Sequence, residues 1–523
     1  MSEQALMVME NSYPRSLRTL VSRLVGFSCN TFRVEPQGAN ANATAGSKIS
    51  FSCPSNALIN LRSITLMLNW VTASGVEGTS PAGISGVLPR ASDLFEQVNI
   101  YLNGVALTNS VQQFNTLTRM MALQGDSFER SITSGCLEAH DTQSSVINGA
   151  GATLGKGQSR AMAFNNILGL PSQSSTRYLD CSLFGDLRIE FVVASNAVLM
   201  ATSVATAADC VNPSLPTSVT TKPVLTLKNF HLELEAIQVA NGMYSELQRA
   251  KIAQQDFIQI NYKDYYTLEA DGGSSTSNST RFSCSSQSCD ALFATQRQQN
   301  YVNGFDSAGG GFGSWCFPQR PTQTAGVNPD NDDFKDGFCP HYFAFRSFKR
   351  ETGAPTAFGP GLGAVGPWPT NGPGTPLYRP TYYYDDVDPM VNNWSVQFRA
   401  NGVAHPQIPA SELSSWKNTN LYQNKQKWNT PGNGISSIWN YNYGQYLACA
   451  RLSMEDDTHS EMECARIKGF DSRGINSDFQ VLHQNMQEHN VPTDAYGLKS
   501  VFVVVACTAS IRAGAGKSIA RIP

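Results

Sequence analysis

Charged side chains are scarce in this sequence and make up 15% of its 523 residues. Its 38 basic and 41 acidic residues leave a formal net charge of −3. A protein that holds nucleic acid or an anionic membrane through its overall field needs a basic excess, which this chain lacks. We therefore expect no sequence-specific binding of nucleic acid.

Long hydrophobic runs are also lacking. No stretch approaches the roughly 18 uninterrupted apolar residues that indicate a membrane-spanning helix. The first residues, MSEQALMVMENSYPRSLR, place Glu3 and Glu10 among apolar residues and contain no basic segment before an apolar one. Because a secretory signal has such a segment, we expect synthesis in the cytoplasm, where cysteines stay reduced.

Residue spacings typical of catalytic and metal sites are missing as well. The 7 histidines are scattered, and no serine has the sequence context of a nucleophile elbow. Among the 12 cysteines, Cys284 and Cys289 lie near each other, but no second pair or histidine cluster completes a zinc set. We predict free thiols, no metal, no cofactor and no enzymatic activity.

Acidic and aromatic clusters leave one alternative function open. They are the acidic groups at 330–336, 385–388 and 455–457, and the aromatic residues Trp368, Tyr382, Tyr383, Tyr384 and Trp394. A glycosidase needs two carboxylates on opposite sides of a sugar cleft, and aromatic rings can line a glycan site. The alternative is therefore a glycan-binding or glycan-cleaving β-sandwich protein. Solvated loop charges and ordinary aromatic packing explain the same residues.

Short β-rich runs, separated by Gly, Pro, Asn and Ser, are what the sequence does contain. In LRSITLMLNWVT, the residues Ile64, Leu66, Leu68 and Trp70 occupy every second position. A strand with one face turned inward requires this alternation. Many such strands with few intervening helices predict an all-β sandwich fold.

One hairpin sequence occurs twice in the chain. VNIYLNGVALTN contains Asn103 and Gly104, and WSVQFRANGVAHP contains Asn401 and Gly402 in the same place. An Asn-Gly pair between two strand-like runs is typical of a two-residue turn with positive φ. We predict that these four residues are structural turn residues.

Two further segments repeat in the same order. SKISFSCPSNALI at 47–59 is echoed by TRFSCSSQSCDALF at 280–293. The run at 178–198 is matched with that at 495–511, since each has a turn followed by an apolar strand. Three matches in order predict that the chain contains two diverged copies of one β-sandwich.

The positions of the repeats divide the chain. Helical spacing at 111–125 predicts a helix inside the first copy, and a second helix is predicted between the copies. The predicted divisions are an N-terminal arm at 1–20, a first sandwich at 21–240, a connecting helix at 241–256, a second sandwich at 257–510 and a C-terminal arm at 511–523. Gly and Pro dominate a loop insertion at about 302–380, which predicts an exposed functional loop.

The C-terminal tail, RAGAGKSIARIP, carries Arg512, Lys517 and Arg521. We predict that these residues belong to an extended basic arm that contacts a neighbouring subunit. The segment at 516–518 is similar to the end of a phosphate-binding loop. Ile511 stands where the first glycine of that loop should be, so nucleotide binding is not predicted.

The duplicated sandwich, the hairpin and the segment GVLPRASDLFEQVNIYLNGVAL at 86–107 together resemble double jelly-roll major capsid proteins. The similarity is to capsid proteins of polinton-like viruses, virophages and their large-DNA-virus relatives. It implies two tandem eight-stranded jelly-roll β-sandwiches joined by a short helix, with long loop insertions in the second.

The resemblance also implies a function and partners. Three chains would form a homotrimer of pseudo-hexameric outline, and trimers would tile an icosahedral capsid around double-stranded DNA. The expected partners are other copies of the chain, penton proteins and minor capsid proteins. The expected location is the virion, with the insertion in the second sandwich facing outward as a tower that could contact a host surface.

Overall fold

The computed structural model describes a defined set of residues. These are 27–38, 42–55, 57–72, 85–87, 91–108, 111–125, 153–154, 159–165, 167–198, 200–202, 225–239, 250, 252–254, 256–273, 275, 277–298, 314–316, 342–343, 345, 347, 394–423, 446–453, 467–473, 478–486, 499–514 and 518–523. The predicted N-terminal arm and most of the predicted tower and connecting helix lie outside this set, although the described residues 252–254 are helical.

The described residues before 240 form fourteen strands. In chain order, β1 to β14 are Phe27–Val34, Asn42–Thr44, Lys48–Ser52, Leu58–Asn60, Thr65–Thr72, Ser85–Val87, Phe95–Leu102, Val105–Ala106, Thr153–Leu154, Ser159–Phe164, Tyr178–Asp180, Leu187–Val193, Met200–Thr202 and Leu225–Val239. The helices here are α1, Phe114–Gly125, and the single turn α2, Cys181–Phe184. The helix α1 thus lies within the range 111–125 for which the sequence predicted a helix.

The second half contains ten strands in its described part. In chain order, β15 to β24 are Phe257–Gly273, Asn278–Ser283, Cys289–Gln298, Ser314–Cys316, Ser395–Ala400, Val403–Ser411, Ala448–Arg451, Asp478–Gln484, Lys499–Gly514 and Ile519–Ile522. A third helix, α3, spans Glu412–Gln423 and follows β20 directly. The sequence analysis did not predict this helix.

Each half is built around two facing sheets. In the first half, one sheet has the order β10-β5-β14-β4-β11 with β1 and β2 also paired to β14, and the other has the order β3-β12-β7-β8. In the second half, the sheets are β15-β23-β17-β21, with β24 on β23, and β16-β22-β19-β20. A small sheet, β18-β13-β6-β9, joins strands of both halves. The all-β double sandwich is confirmed, and the count of eight strands in each sandwich stays a prediction.

The two four-stranded sheets correspond strand by strand. β12 lies between β3 and β7, and β22 lies in the same way between β16 and β19. The long last strands also correspond, because β14 pairs with β1 and β23 pairs with β15, the first strand of each half. The predicted match of 178–198 with 495–511 was therefore wrong: β12 corresponds to β22, not to β23.

Both Asn-Gly turns have the same backbone geometry. Asn103 and Gly104 have φ of 48° and 81°, and Asn401 and Gly402 have φ of 49° and 81°. Each turn joins paired strands, β7 to β8 and β19 to β20. The left-handed conformation at both positions explains why the chain uses Asn followed by Gly.

The turns are held to the neighbouring strand by equivalent hydrogen bonds. The backbone N–H of Asn103 donates to the carbonyl of Asp186 at 2.9 Å, and that of Asn401 donates to the carbonyl of Asp478 at 2.9 Å. Asp186 directly precedes β12, and Asp478 is the first residue of β22. The repeat thus extends to single hydrogen bonds at the same place in each sandwich.

Alternating side chains fill the core between the sheets. In β12 the buried residues alternate with more exposed ones, so Ile189 and Phe191 point inward. Phe191 packs against Phe51 and Phe95, with ring centroids 6.0 Å and 5.1 Å away. β23 differs, because nearly all of its residues are buried. Its two faces are both covered, which is typical of a central strand with small and apolar residues.

Membrane-spanning helices do not occur in the part of the chain that the structure describes: none of its helices is both long and apolar enough.

Replacing either turn glycine by valine is expected to destabilise its hairpin. A Cβ at Gly104 or Gly402 would meet no atom within 4 Å, so the cost comes from the positive φ alone. A β-branched residue held there should cost about 1 to 3 kcal/mol of unfolding free energy. Urea unfolding of Gly104→Val and Gly402→Val would measure this.

Ala106→Val and Ala404→Val are the matched controls, because these residues lie in the strands after the turns, where valine is well tolerated. Equal unfolding midpoints for the glycine and alanine variants would show that the turns do not impose the strain.

Candidate functional site

The two halves of the chain meet along β15. One edge of β15 pairs with β23 over its whole length. On its other edge, the N–H of Ser175 donates to the carbonyl of Asn261 at 2.8 Å, and the N–H of Lys263 donates to the carbonyl of Gln173 at 2.9 Å. A segment of the first half therefore pairs with the edge of a second-half sheet. Backbone groups that would otherwise be unpaired at this edge are satisfied.

Hydroxyl groups of β15 add side-chain links across the same junction. The hydroxyl of Tyr262 donates to the carbonyl of Leu107 at 2.8 Å, directly after the first hairpin. The hydroxyl of Thr267 donates to the carbonyl of Gln112 at 2.8 Å. Because Tyr262 is 1% exposed, its hydrogen bond is made away from water. We name the contacts between β15 and the first half the junction.

Arg297 also lies at the junction. It is the one arginine among the largest fully buried side chains of the described residues. Its Nη2 is 2.8 Å from Oε1 of Glu269 in β15, and its Nη1 donates to Oγ1 of Thr116 in α1 at 3.1 Å. It also donates to Gln113, and its guanidinium lies 4.6 Å from the ring centroid of Tyr342. One side chain thus connects α1 to two strands of the second half.

Removing the charge of Arg297 is expected to destabilise the whole chain. Arg297→Met removes the cationic partner of Glu269, which keeps only the hydrogen bonds from Gln113 and Ser500 among those described, and Glu269 is 25% exposed. The free energy of unfolding should fall by about 2 to 4 kcal/mol, which is slightly less than the loss on breaking a fully buried ion pair. Chemical denaturation monitored by tryptophan fluorescence would measure it.

Arg399→Met is the matched control, because Arg399 is exposed and contacts only Gln397 through its guanidinium. A loss no larger for Arg297→Met than for this control would contradict the role of Arg297 at the junction.

The C-terminal residues pair with their own sheet. β24 is antiparallel to β23, and the carbonyl of Pro523 accepts from the N–H of Gln287 at 2.7 Å. Arg521 forms an ion pair with Asp264, which is 3% exposed, and its Nε donates to the hydroxyl of Tyr262 at 3.1 Å. Residues 519–522 are therefore a strand and not the extended arm that the sequence predicted.

The other two residues of the predicted basic arm are placed differently. Arg512 lies in β23, where its Nε donates to Gln259 at 3.1 Å and its guanidinium lies 4.5 Å from the ring centroid of Phe257. Lys517 lies outside the described residues. β23 continues to Gly514, beyond the boundary at 510 that the sequence predicted. Contact of residues 511–523 with a neighbouring subunit stays a prediction.

Replacement of Arg521 by methionine is expected to release β24. Asp264 would lose the cation of its ion pair while its carboxylate stays buried and keeps the hydrogen bond from the N–H of Tyr265, at a cost of about 3 to 5 kcal/mol. Amide hydrogen exchange should accelerate at 519–522 and in the adjoining part of β23. Arg512→Met is the control, since its partner Gln259 is neutral. Unchanged protection of β24 in Arg521→Met would contradict the contribution of this ion pair.

A buried polar cluster links β15, β17 and β23. Nζ of Lys263 is 2.6 Å from Oδ2 of Asp290, and Oγ1 of Thr508 donates to the same carboxylate oxygen at 2.7 Å. Oγ of Ser288 donates to Oδ1 of Asp290 at 2.8 Å. Asp290 is thus paired and hydrogen-bonded at both oxygens, as a buried carboxylate must be. Its role is to join three strands.

Three cysteines lie side by side next to this polar cluster. Sγ of Cys507 lies 3.8 Å from Sγ of Cys289 and 4.0 Å from Sγ of Cys284. Hydrogen bonding from Cys284 and Cys507 lowers the pKa of the Cys289 thiol, and the hydrogen bond to Cys289 raises the pKa of Cys284. We name these three residues the thiol cluster. It is the only group of three or more potential metal ligands within the described residues.

Cys284 and Cys289 lie close together in the sequence, but the sequence did not indicate that Cys507 lies beside them. The third cysteine follows more than two hundred residues later, inside an apolar strand that suits a small core residue. Only the register of β17 against β23, which sets Cys289 opposite Cys507, brings it to the pair. No local sequence signal reports that register. Cys507 is therefore a third potential metal ligand beside Cys284 and Cys289, although the sequence shows no second cysteine pair or histidine cluster.

The aromatic residues proposed for a glycan site are not grouped at the surface in the described part of the chain. Trp394 is fully buried, and its ring is 5.4 Å from that of Tyr446 in an edge-to-face arrangement. It packs in the second core and cannot line an open sugar site, so this part of the interpretation was wrong. The remaining aromatic residues and the acidic clusters named for this function lie outside the described residues.

Large apolar side chains are exposed near the second hairpin. Val403 and Ile408 in β20 are 60% and 79% exposed, and Leu413 at the start of α3 is 62% exposed. β20 is the last strand of its sheet, so one of its edges is unpaired within that sheet. We name Val403, Ile408 and Leu413 the hairpin patch. Exposed apolar groups beside a sheet edge are typical of a protein–protein contact.

No protein-family model and no curated protein matches this chain. Solved structures do match it. PBCV-1 VP54, fitted into a cryo-EM reconstruction of the virophage Sputnik, aligns over 96% of this chain and 98% of that chain, with a TM-score of 0.50 and 10% identity. The PBCV-1 virus capsid matches over 95% and 97%, with a TM-score of 0.49 and 12% identity.

A chain in the 3.5 Å cryo-EM structure of the Sputnik virophage also matches. The match covers 95% of the present chain and 88% of the virophage chain, with a TM-score of 0.48 and 10% identity. At such identities a structural match concerns the fold. The match to VP54 runs through both halves of each chain. The fold is a double jelly roll, as the sequence resemblance implied.

Proposed function

We propose that this chain is a major capsid protein, the structural subunit of an icosahedral viral shell. The observation that carries the proposal is the pair of corresponding sandwiches, fused through the junction into one double jelly roll. The match to VP54 over nearly all of both chains supports it, since the structure of that protein was fitted into a cryo-EM reconstruction of the virophage Sputnik. The buried ion pairs around β15 also suit a structural subunit.

The assembly that fits this fold is a homotrimer. Two corresponding sandwiches in each chain give three chains six similar outer edges, so a trimer has a pseudo-hexameric outline. Such a shape can contact six neighbours in a shell although it has only threefold symmetry. The domain division predicted from the repeats, with a first sandwich at 21–240 and a second at 257–510, gives the two units of this arrangement.

The hairpin patch is the surface that we assign to contact between copies of the chain. Its three side chains are large and apolar and are at least 60% exposed, and exposed apolar surface is a feature of protein–protein contacts. The near-neutral chain, with a net charge of −3, allows many copies to pack closely without strong repulsion. Permanent assemblies of this kind bury interfaces at the large end of the observed range.

The remaining parts of the proposal concern the particle. The shell would enclose a double-stranded DNA genome, with penton and minor capsid proteins completing it. The virion is the proposed location, after synthesis in the host cytoplasm. The insertion at about 302–380 would form the outward tower, and host contact through it is part of the proposal. The low net charge supports a shell that does not read the DNA sequence.

Light scattering on the purified chain tests the assembly. The wild-type protein should have the mass of a trimer at micromolar concentration. Ile408→Asp should shift the equilibrium toward monomer by about tenfold or more, because it places a charge in an apolar interface.

Ile467→Asp is the control, since Ile467 is 47% exposed and lies outside the hairpin patch. A monomeric wild-type protein would contradict the homotrimer. A trimer equally stable in both variants would contradict the assignment of the hairpin patch.

A further inference from the structure

Three separate segments of the second half meet at the thiol cluster. Cys284 follows β16, Cys289 begins β17, and Cys507 lies within β23. A register shift between Cys289 and Ala291 interrupts the pairing of β17 with β23 at this point. Such irregularities re-aim side chains and often occur beside functional sites. All three sulfur atoms point to one place inside the protein, and the residues are 5%, 0% and 0% exposed.

The spacing of the sulfur atoms fits one metal ion. The two closest pairs of Sγ atoms are 3.8 Å and 4.0 Å apart, and all three ligand atoms lie within 4.8 Å of one another. Zinc binds thiolate sulfur at about 2.3 Å in a tetrahedron, which places two ligand sulfurs about 3.8 Å apart. A disulfide needs a sulfur separation of about 2 Å, and both measured pairs are far longer.

We propose that Cys284, Cys289 and Cys507 form a structural binding site for a thiophilic divalent metal ion, Zn²⁺. Binding converts three thiols to thiolates and releases three protons to solvent, with no change of oxidation state. Three sulfur ligands leave the fourth position to an oxygen donor. Oγ of Ser472 is one such oxygen and lies 3.4 Å from Sγ of Cys289.

The metal would fasten strands that are far apart in sequence. Cys507 is separated from Cys284 by 223 positions and from Cys289 by 218. A single ion bound by all three closes these long loops only in the folded chain, so it stabilises the folded state. The same region already carries the buried pair of Lys263 and Asp290, which joins β15, β17 and β23. The site therefore reinforces the sheet that forms the junction.

Metal analysis of the purified full-length chain tests this inference. The protein is produced in medium supplemented with zinc, purified without a metal-affinity resin and dialysed before elemental analysis. The wild-type chain should hold about one zinc ion per chain, and Cys284→Ala and Cys507→Ala should each retain less than about a tenth of it. Cys449→Ala is the matched control, because Cys449 is buried in β21 of the same sheet but outside the thiol cluster.

A second measurement uses only the wild-type chain and so does not depend on the folding of a variant. Cobalt added to the zinc-free folded protein should produce strong near-ultraviolet sulfur-to-cobalt absorption, which zinc should then abolish. Folded wild-type protein with neither zinc nor this absorption would overturn the site. An intact mass about 2 units lower before reduction, traced by peptide mapping to a disulfide between two of these three cysteines, would also overturn it. Equal zinc loss in Cys449→Ala and Cys507→Ala would also contradict the proposed site.

Discussion

The free edge of β15 is the constraint on which the arrangement of the chain depends. A 17-residue strand that pairs on only one side leaves a row of backbone donors and acceptors on the other. The first half supplies partners for this edge through the backbone of Gln173 and Ser175. The two sandwiches are in this way joined by backbone hydrogen bonds. The buried side chains at the junction, above all Arg297, then fix the orientation of the join.

Burial of charge follows from the same arrangement. Three ion pairs lie around β15, formed by Lys263 with Asp290, Arg297 with Glu269, and Arg521 with Asp264. Each connects β15 to another strand of the second half, so the charges are neutralised only when β17 and β24 are in place beside β15. Buried pairs contribute little net stability compared with apolar packing, but they disfavour other arrangements. They therefore specify how β15, β17 and the C-terminal strand combine.

The sequence was sufficient to predict features that depend on local rules. Alternation in the segment that contains β5 predicted the sandwich, and the Asn-Gly pairs predicted two turns whose φ angles are now seen to be positive. Features that depend on register were not predictable. Cys507 joins the thiol cluster, and Arg521 reaches Asp264, only because β23 pairs with particular residues of β17 and β15. A shift by one residue would turn these side chains to the other face.

One predicted match between the two halves was wrong because two strands with different places in the fold have similar hydrophobic patterns. β12 and β23 both have apolar runs after a turn, so they were matched by sequence. Their places differ, since β12 lies in a four-stranded sheet between β3 and β7, whereas β23 is the central strand beside β15. The helix α3 was missed because its sequence, ELSSWKNTNLYQ, has no continuous apolar stripe. Its burial depends on Ser415 and Thr419 packing in the fold, and the hydroxyl of Thr419 donates to the carbonyl of Leu447.

The central claim is that two corresponding sandwiches in one chain make a subunit with pseudo-hexameric packing. Cryo-EM of the purified assembly, reconstructed without imposed symmetry, tests it most directly. The account predicts a threefold particle in which six sandwiches form a ring, alternating between first and second halves, with the hairpin patch covered by a neighbouring chain. A particle with one sandwich of each chain outside the ring, or with the hairpin patch open to solvent, would contradict it.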